Sequence, residues 1–162
     1  MLRLKQFFLL LFLGWLAVVL EVGLLNGLTA NKRIIELLLI VIFYAILFCD
    51  FFPGIFLVIS LSYIRDIFTG SYVGTNIVVG LTIFGFLQLI HNKLNENGKF
   101  FQVIFTFLAM ITWHLAMKFI LGLWDGLILI ILKSVLNSLF APFIYAKLRG
   151  IDDIILERQK GI

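Results

Sequence analysis

Long apolar runs separated by short polar turns fill most of this chain. Residues 7–13, 37–42 and 127–132 are apolar at every position, whereas the strands of a membrane barrel alternate between polar and apolar residues. A helix that crosses a bilayer needs about 20 mostly apolar residues. We therefore expect an all-α integral membrane protein, a bundle of about six transmembrane helices over residues 1–149, with a short charged tail over 150–162. The predicted helices span 6–26, 34–50, 54–69, 76–91, 100–121 and 126–147.

The composition supports lipid as the surrounding solvent. Hydrophobic residues make up 62% and charged residues 14% of the chain, against about 45–50% and about 25% in soluble domains. Arg3 and Lys5 precede the first apolar run, as in a signal peptide. That run is too long for a signal peptide, and Leu28-Thr29-Ala30 is a poor cleavage site. The pattern predicts an uncleaved first helix.

The basic residues predict the orientation of the helices, because cytoplasmic loops are enriched in Lys and Arg. If both termini are cytoplasmic, eight basic residues lie on the cytoplasmic side and only Lys32 and Arg33 clearly lie on the opposite side. We therefore expect both termini to be cytoplasmic. The net charge of +4 therefore reflects topology, and we expect no nucleic-acid partner. The basic residues then on the cytoplasmic side are Arg3, Lys5, Lys93, Lys99, Lys147, Arg149, Arg158 and Lys160.

Two charged residues, Asp66 and Lys133, fall well inside predicted spans, where a charge is costly. Both are expected in the outer half of the bilayer, and this matched depth motivates the hypothesis that they pair. Ser62 and Gly70 share the helix face of Asp66 at spacings of four. Such charges either lock helices together or, as a less favoured alternative, relay protons.

The remaining polar residues give little sign of chemistry. We expect Glu21, Glu36 and Asp50 to be interfacial, since they lie near predicted helix ends. His91 and His114 lack ligands at metal-binding spacing. Cys49 is alone, and no nucleotide-binding or hydrolase signature is present. The sequence predicts a protein that is not an enzyme and has no cofactor and no metal.

The segment 66–76 resembles the signature region of the bacterial rod shape-determining MreD family. That region has an Asp at the end of a central helix, a Ser/Thr-Gly turn and a second Gly four residues later. The matching positions are Asp66, Thr69-Gly70 and Gly74. The chain departs from the family in having Ser62 where members often have Gly, and Arg65 beside the Asp.

A second resemblance to that family lies in the last predicted helix. Asn137 is followed there by Pro142 and by the basic residues of 147–149. This family likeness and the cost of polar groups in lipid single out eight residues for structural or partner-related roles. They are Ser62, Asp66, Gly70, Gly74, Asn76, Lys133, Asn137 and Pro142.

The resemblance implies a non-enzymatic subunit of the cell-elongation machinery in the bacterial cytoplasmic (inner) membrane. It implies MreC as the first partner, then MreB, RodA and a penicillin-binding transpeptidase, all serving peptidoglycan synthesis and rod shape, in contact with membrane lipid. The family is thought to resemble in fold the substrate-binding subunits of energy-coupling factor transporters. A vitamin-type binding subunit is therefore the alternative, although the first helix carries only Ala17 where those subunits have Ala-x-x-x-Ala. A membrane enzyme is a third, weaker alternative.

Overall fold

The computed structural model describes residues 2–21, 35–69, 72–90, 98–122 and 126–160, with side chains at 7–21, 35–68, 72–87, 98–122 and 126–151. These residues form six α-helices and, within the ranges given, no strand. The all-α bundle expected from the sequence is confirmed. The helices are α1 (Leu2–Leu20), α2 (Leu37–Phe48), α3 (Phe51–Thr69), α4 (Thr75–Ile90), α5 (Lys99–Leu121) and α6 (Leu127–Lys160).

Helix α2 lies at the centre of the bundle. Every residue from Leu38 to Leu47 is buried, and α2 contacts all five other helices. Its sequence is apolar on every face, which is typical of a helix enclosed on all sides. Consecutive helices alternate in direction, so that the ends of α1, α3 and α5 meet the starts of α2, α4 and α6. We call this end of the bundle the upper end.

Only three helices among the described residues are long and apolar enough to cross a membrane. They cover Phe51–Phe68, Lys99–Leu121 and Leu127–Ile151. The apolar parts of α1, α2 and α4 that the structure describes are shorter, and α2 is also shorter than its predicted extent of 34–50. At 1.5 Å per residue, the 12 residues of α2 extend over about 18 Å, less than the bilayer core of about 30 Å. The described part of the expected bundle of about six transmembrane helices thus contains three long apolar helices and three shorter ones.

Helix α6 also differs from its predicted extent. It continues without interruption to Lys160 and contains Pro142, so the tail over 150–162 is largely an extension of the last helix. Gly150 lies within it and does not end it. The short turn predicted at 29–33 lies outside the described residues, as do residues 91–97 of the loop predicted at 91–99.

Large apolar side chains cover the outside of the bundle. Phe119 on α5 is 91% exposed and Ile128 on α6 is 84% exposed. Soluble monomers rarely expose large contiguous apolar surface, whereas lipid is the natural environment for it. The described residues thus form a membrane protein with a buried centre and an apolar exterior.

Candidate functional site

Asp66 holds the turn between α3 and α4. Its carboxylate accepts a hydrogen bond from the backbone N–H of Gly74 at 2.7 Å and from that of Asn76 at 3.1 Å. These N–H groups belong to the start of α4, where the helix itself offers no acceptor. The negative charge also lies at the positive end of the α4 dipole. Asp66 therefore caps α4 from the end of the preceding helix.

Gly74 gives this turn its shape. Its φ of 101° lies in a region that residues with a Cβ rarely adopt. The conformation directs the Gly74 N–H at the Asp66 carboxylate. A glycine at this position therefore serves the turn and the cap together.

Asn76 connects the capped turn to α5. Its side-chain amide donates to Asp66 at 2.7 Å, and its Oδ1 accepts from Nε1 of Trp113 at 3.0 Å. Both side chains are almost completely buried. The side-chain hydrogen bonds from Asp66 to Asn76 and from Asn76 to Trp113 thus join α3, α4 and α5.

A second group of buried polar residues surrounds Glu36, which is 3% exposed. The Nη2 of Arg65 lies 2.6 Å from Glu36 Oε2. His114 Nε2 lies 3.4 Å and Lys133 Nζ 3.9 Å from Glu36 Oε1. These three basic side chains come from α3, α5 and α6. One carboxylate therefore brings together groups from three helices around the start of α2.

The start of α2 is itself buried, and side chains satisfy its backbone. The N–H of Glu36 donates to Asn137 Oδ1 at 2.8 Å, and the N–H of Leu38 donates to Glu21 Oε2 at 3.3 Å. An unsatisfied backbone group in hydrocarbon costs several kcal/mol. Asn137 and Glu21 therefore allow α2 to begin inside the bundle.

The two groups are parts of one cluster. Arg65 and Asp66 are neighbours on α3, and Trp113 and His114 are neighbours on α5. The guanidinium of Arg65 lies 5.9 Å from the Trp113 ring centroid, within the range of a cation–π contact. We call the set formed by Glu36, Arg65, Asp66, Asn76, Trp113, His114, Lys133 and Asn137 the upper cluster.

Close helix contact beneath the upper cluster depends on Gly80. A Cβ at this position would lie 2.9 Å from Val58 and 3.0 Å from the Ser62 hydroxyl, and 3.3 Å from the Trp113 ring. Ser62 is fully buried, and its Oγ has no hydrogen-bond partner among the described residues. Ser62 thus acts as a small packing residue between α3 and α4.

The expected pair of Asp66 and Lys133 is wrong. The two make no ion pair: Asp66 bonds to Gly74 and Asn76, and Lys133 lies nearest to Glu36. Both residues lie at the upper end of the bundle, but a shared level along the bundle does not determine the side of a helix on which a residue lies.

The other expected site residues fall in different places. Gly74, Asn76, Lys133 and Asn137 belong to the upper end. Pro142 lies near the middle of α6, where it lines a groove separate from the upper cluster. Gly70 lies outside the described residues.

Sequence reasoning missed Glu36, Arg65, Trp113 and His114. Glu36 was expected at the interface, and it does lie next to a helix end, but that end is buried. A search for opposite charges could have found it, since charged residues inside predicted spans, such as Arg65 and Lys133, require acidic partners.

The upper cluster offers ion pairing and hydrogen bonding. Its titratable carboxylates and imidazole contact other protein groups. Among the described residues, no three His, Cys, Asp or Glu side chains are placed to hold a metal ion. The arrangement fits the joining of helices at a fixed angle.

Comparisons with known proteins give no match. No protein family model, no curated protein and no solved structure matches the chain.

Proposed function

We propose that this chain is a non-enzymatic subunit of the bacterial cell-elongation machinery, which binds an MreC-type partner in the cytoplasmic membrane and supports peptidoglycan synthesis. One observation carries the proposal. The segment that resembles the MreD signature forms a single interlocked unit, in which Asp66 bonds to Gly74 and Asn76.

The chemistry of the upper cluster supports a scaffold more than an enzyme. The carboxylate of Asp66, the amide of Asn76 and the amide of Asn137 all bond to groups of the protein itself. Groups used in this way hold helices and are not free to attack a substrate. A scaffold needs only a rigid bundle with faces that a partner helix can pack against.

The outer faces of the bundle supply such surfaces. In lipid, helices associate through close packing and hydrogen bonds, because the lipid tails are as apolar as the side chains. The exposed phenylalanines of α5 and α6, such as Phe119 and Phe140, give these faces an uneven surface against which a partner helix can pack. The partner contact proposed here is therefore between helix faces.

The first test is purification of the tagged protein from its native host in mild detergent, followed by mass spectrometry of co-purified proteins. The proposal expects recovery of an MreC-type protein, with RodA and a penicillin-binding transpeptidase. Recovery of paired ATPases with a coupling membrane subunit would overturn it and would favour a transporter subunit.

A second test uses a rod-shaped native host in which the chromosomal copy is replaced by Asp66→Leu. We expect loss of rod shape, because the cap of α4 is lost. The control is Tyr72→Leu, which changes a side chain that is 78% exposed in the same turn and should leave rods unchanged. Normal rods with Asp66→Leu at wild-type protein level would contradict the proposal.

A further inference from the structure

A groove runs along the lower half of the bundle between α1, α5 and α6. It has a volume of about 780 Å³, within the range of ligand-binding clefts. Its walls include Leu13 of α1, Val103 of α5 and Leu139 and Phe143 of α6. Only two of its lining residues are polar, Lys99 and Lys147. We call this feature the lower groove.

The lower groove has the depth of one leaflet. On α6 it extends from Leu139 to Ile151, which at 1.5 Å per residue corresponds to about 18 Å. Half of a hydrocarbon core of about 30 Å is about 15 Å. Lys99 begins one candidate span and Ile151 ends another, so the open end lies at the membrane surface. The other end lies near the middle of the bilayer.

Both charges of the lower groove are positive and lie toward its open end. Neither Lys99 nor Lys147 forms an ion pair with any side chain that the structure describes. Each side chain is long enough to keep its ammonium group at the interface while its methylenes lie against apolar walls. The groove therefore combines an apolar channel with a cationic rim.

We propose that the lower groove binds an anionic phospholipid. One acyl chain lies between α1 and α6, and the phosphate of the headgroup contacts Lys99 and Lys147. A partner helix fits less well, because it would need to cross about 30 Å of hydrocarbon whereas the groove extends over one leaflet. This inference does not depend on the proposed function.

The first experiment is native mass spectrometry of the purified protein, titrated with phosphatidylglycerol or with phosphatidylcholine of the same acyl chains. Each lysine near an anionic headgroup contributes about fivefold in affinity. We expect a preference for phosphatidylglycerol of about 30-fold, lost in the double variant Lys99→Gln with Lys147→Gln. The matched control is Lys118→Gln at the upper end of α5, which should keep the preference.

Equal binding of the two lipids by the unchanged protein would overturn the proposal, as would a preference that survives in the double variant. A second variant tests the apolar part. Leu139→Trp replaces a half-exposed leucine with a bulkier indole side chain and should weaken the binding of both lipids. Unchanged thermal unfolding would show that the fold is kept.

Photo-cross-linking identifies what occupies the lower groove in native membranes and leaves Lys99 and Lys147 unchanged. In this experiment Phe143 is replaced by the photoreactive residue benzoylphenylalanine. We expect a covalent adduct with the mass of a glycerophospholipid. The lipids cross-linked at position 143 should be richer in anionic headgroups than those cross-linked by the same residue at Phe119, which lies on α5 outside the lower groove. A cross-link to a polypeptide of defined mass would overturn the proposal in favour of a partner helix.

Discussion

The two ends of the central helix α2 are held by different chemistry. At the upper end, Glu36 lies among basic side chains from three helices. Toward the lower end, aromatic rings of α2 pack against rings of α5 and α6. Between ring centroids, Tyr145 lies 5.8 Å from both Tyr44 and Phe48, and Phe105 lies 6.0 Å from Phe43. One end is therefore polar and specific, and the other is apolar and closely packed.

The difference shows how a bundle gains a defined arrangement in lipid. Apolar side chains gain little by leaving lipid for protein, so aromatic packing contributes mainly through close van der Waals contact. A buried carboxylate has few acceptable neighbours, because an unpaired charge in this environment is costly. We infer that the upper end determines which helices meet, and that the lower end fills the remaining space.

Replacing Glu36 by Gln should have the largest effect. The change leaves the buried Arg65 without its carboxylate partner, and loss of one partner from a buried pair costs about 3–5 kcal/mol. The measurement is unfolding of the purified protein in mixed micelles titrated with sodium dodecyl sulfate. A loss of stability no greater than that caused by Tyr145→Phe at the lower end would contradict the claim that the two ends are held by different chemistry.

Replacing Asp66 by Ala should have the next largest effect. The variant loses hydrogen bonds to Gly74 and Asn76, and a single charge-assisted hydrogen bond contributes about 1.5–3 kcal/mol. Hydrogen exchange should increase selectively in the first turn of α4. Tyr72→Ala, at an exposed position in the same turn, is the control and should change stability much less. Equal losses in the two variants would contradict the capping role.

Replacing Gly80 by Val tests the close packing beneath the upper cluster. The added side chain would press on Val58, Ser62 and Trp113, and overpacking costs about 1–3 kcal/mol. The matched control is Gly85→Val on the same helix, where a Cβ meets nothing within 4 Å. Both variants are compared by thermal unfolding in detergent, and equal shifts would show that the contact at Gly80 is not tight.

Replacing Tyr145 by Phe should have the smallest effect. The ring stays in the aromatic group, and only the hydrogen bond between its hydroxyl and that of Thr106, 2.9 Å long, is lost. A neutral hydrogen bond contributes about 0.5–1.5 kcal/mol. A loss of several kcal/mol in the same unfolding assay would mean that the lower end is also held mainly by polar contacts.

The sequence predicts the class of fold well, because long apolar runs leave few alternatives. The predicted helices at 76–91 and 100–121 agree closely with Thr75–Ile90 and Lys99–Leu121. The end of α6 is predicted less well. Basic residues at 147–149 indicate a membrane surface, but they do not end a helix, and Gly150 is tolerated within it.

The polar contacts are harder to predict, because they depend on helix rotation and on which helix is central. Asp66 followed by two glycines indicates a turn, but only the structure shows that its carboxylate caps α4. The partner of Lys133 could not be predicted either, since Glu36 lies next to a helix that is too short to reach the surface. Only the enclosure of α2 explains why a residue beside its end is buried.

The most direct test of the account is a double-mutant cycle on Glu36→Gln and Arg65→Gln. If these residues form the central ion pair of the upper end, the double variant should lose less stability than the sum of the single variants, by about 1–3 kcal/mol. The cycle of Glu36→Gln with Tyr145→Phe should be additive. Additive losses in the first cycle, within about 0.5 kcal/mol, would contradict the claim that buried charges at the upper end hold the bundle together.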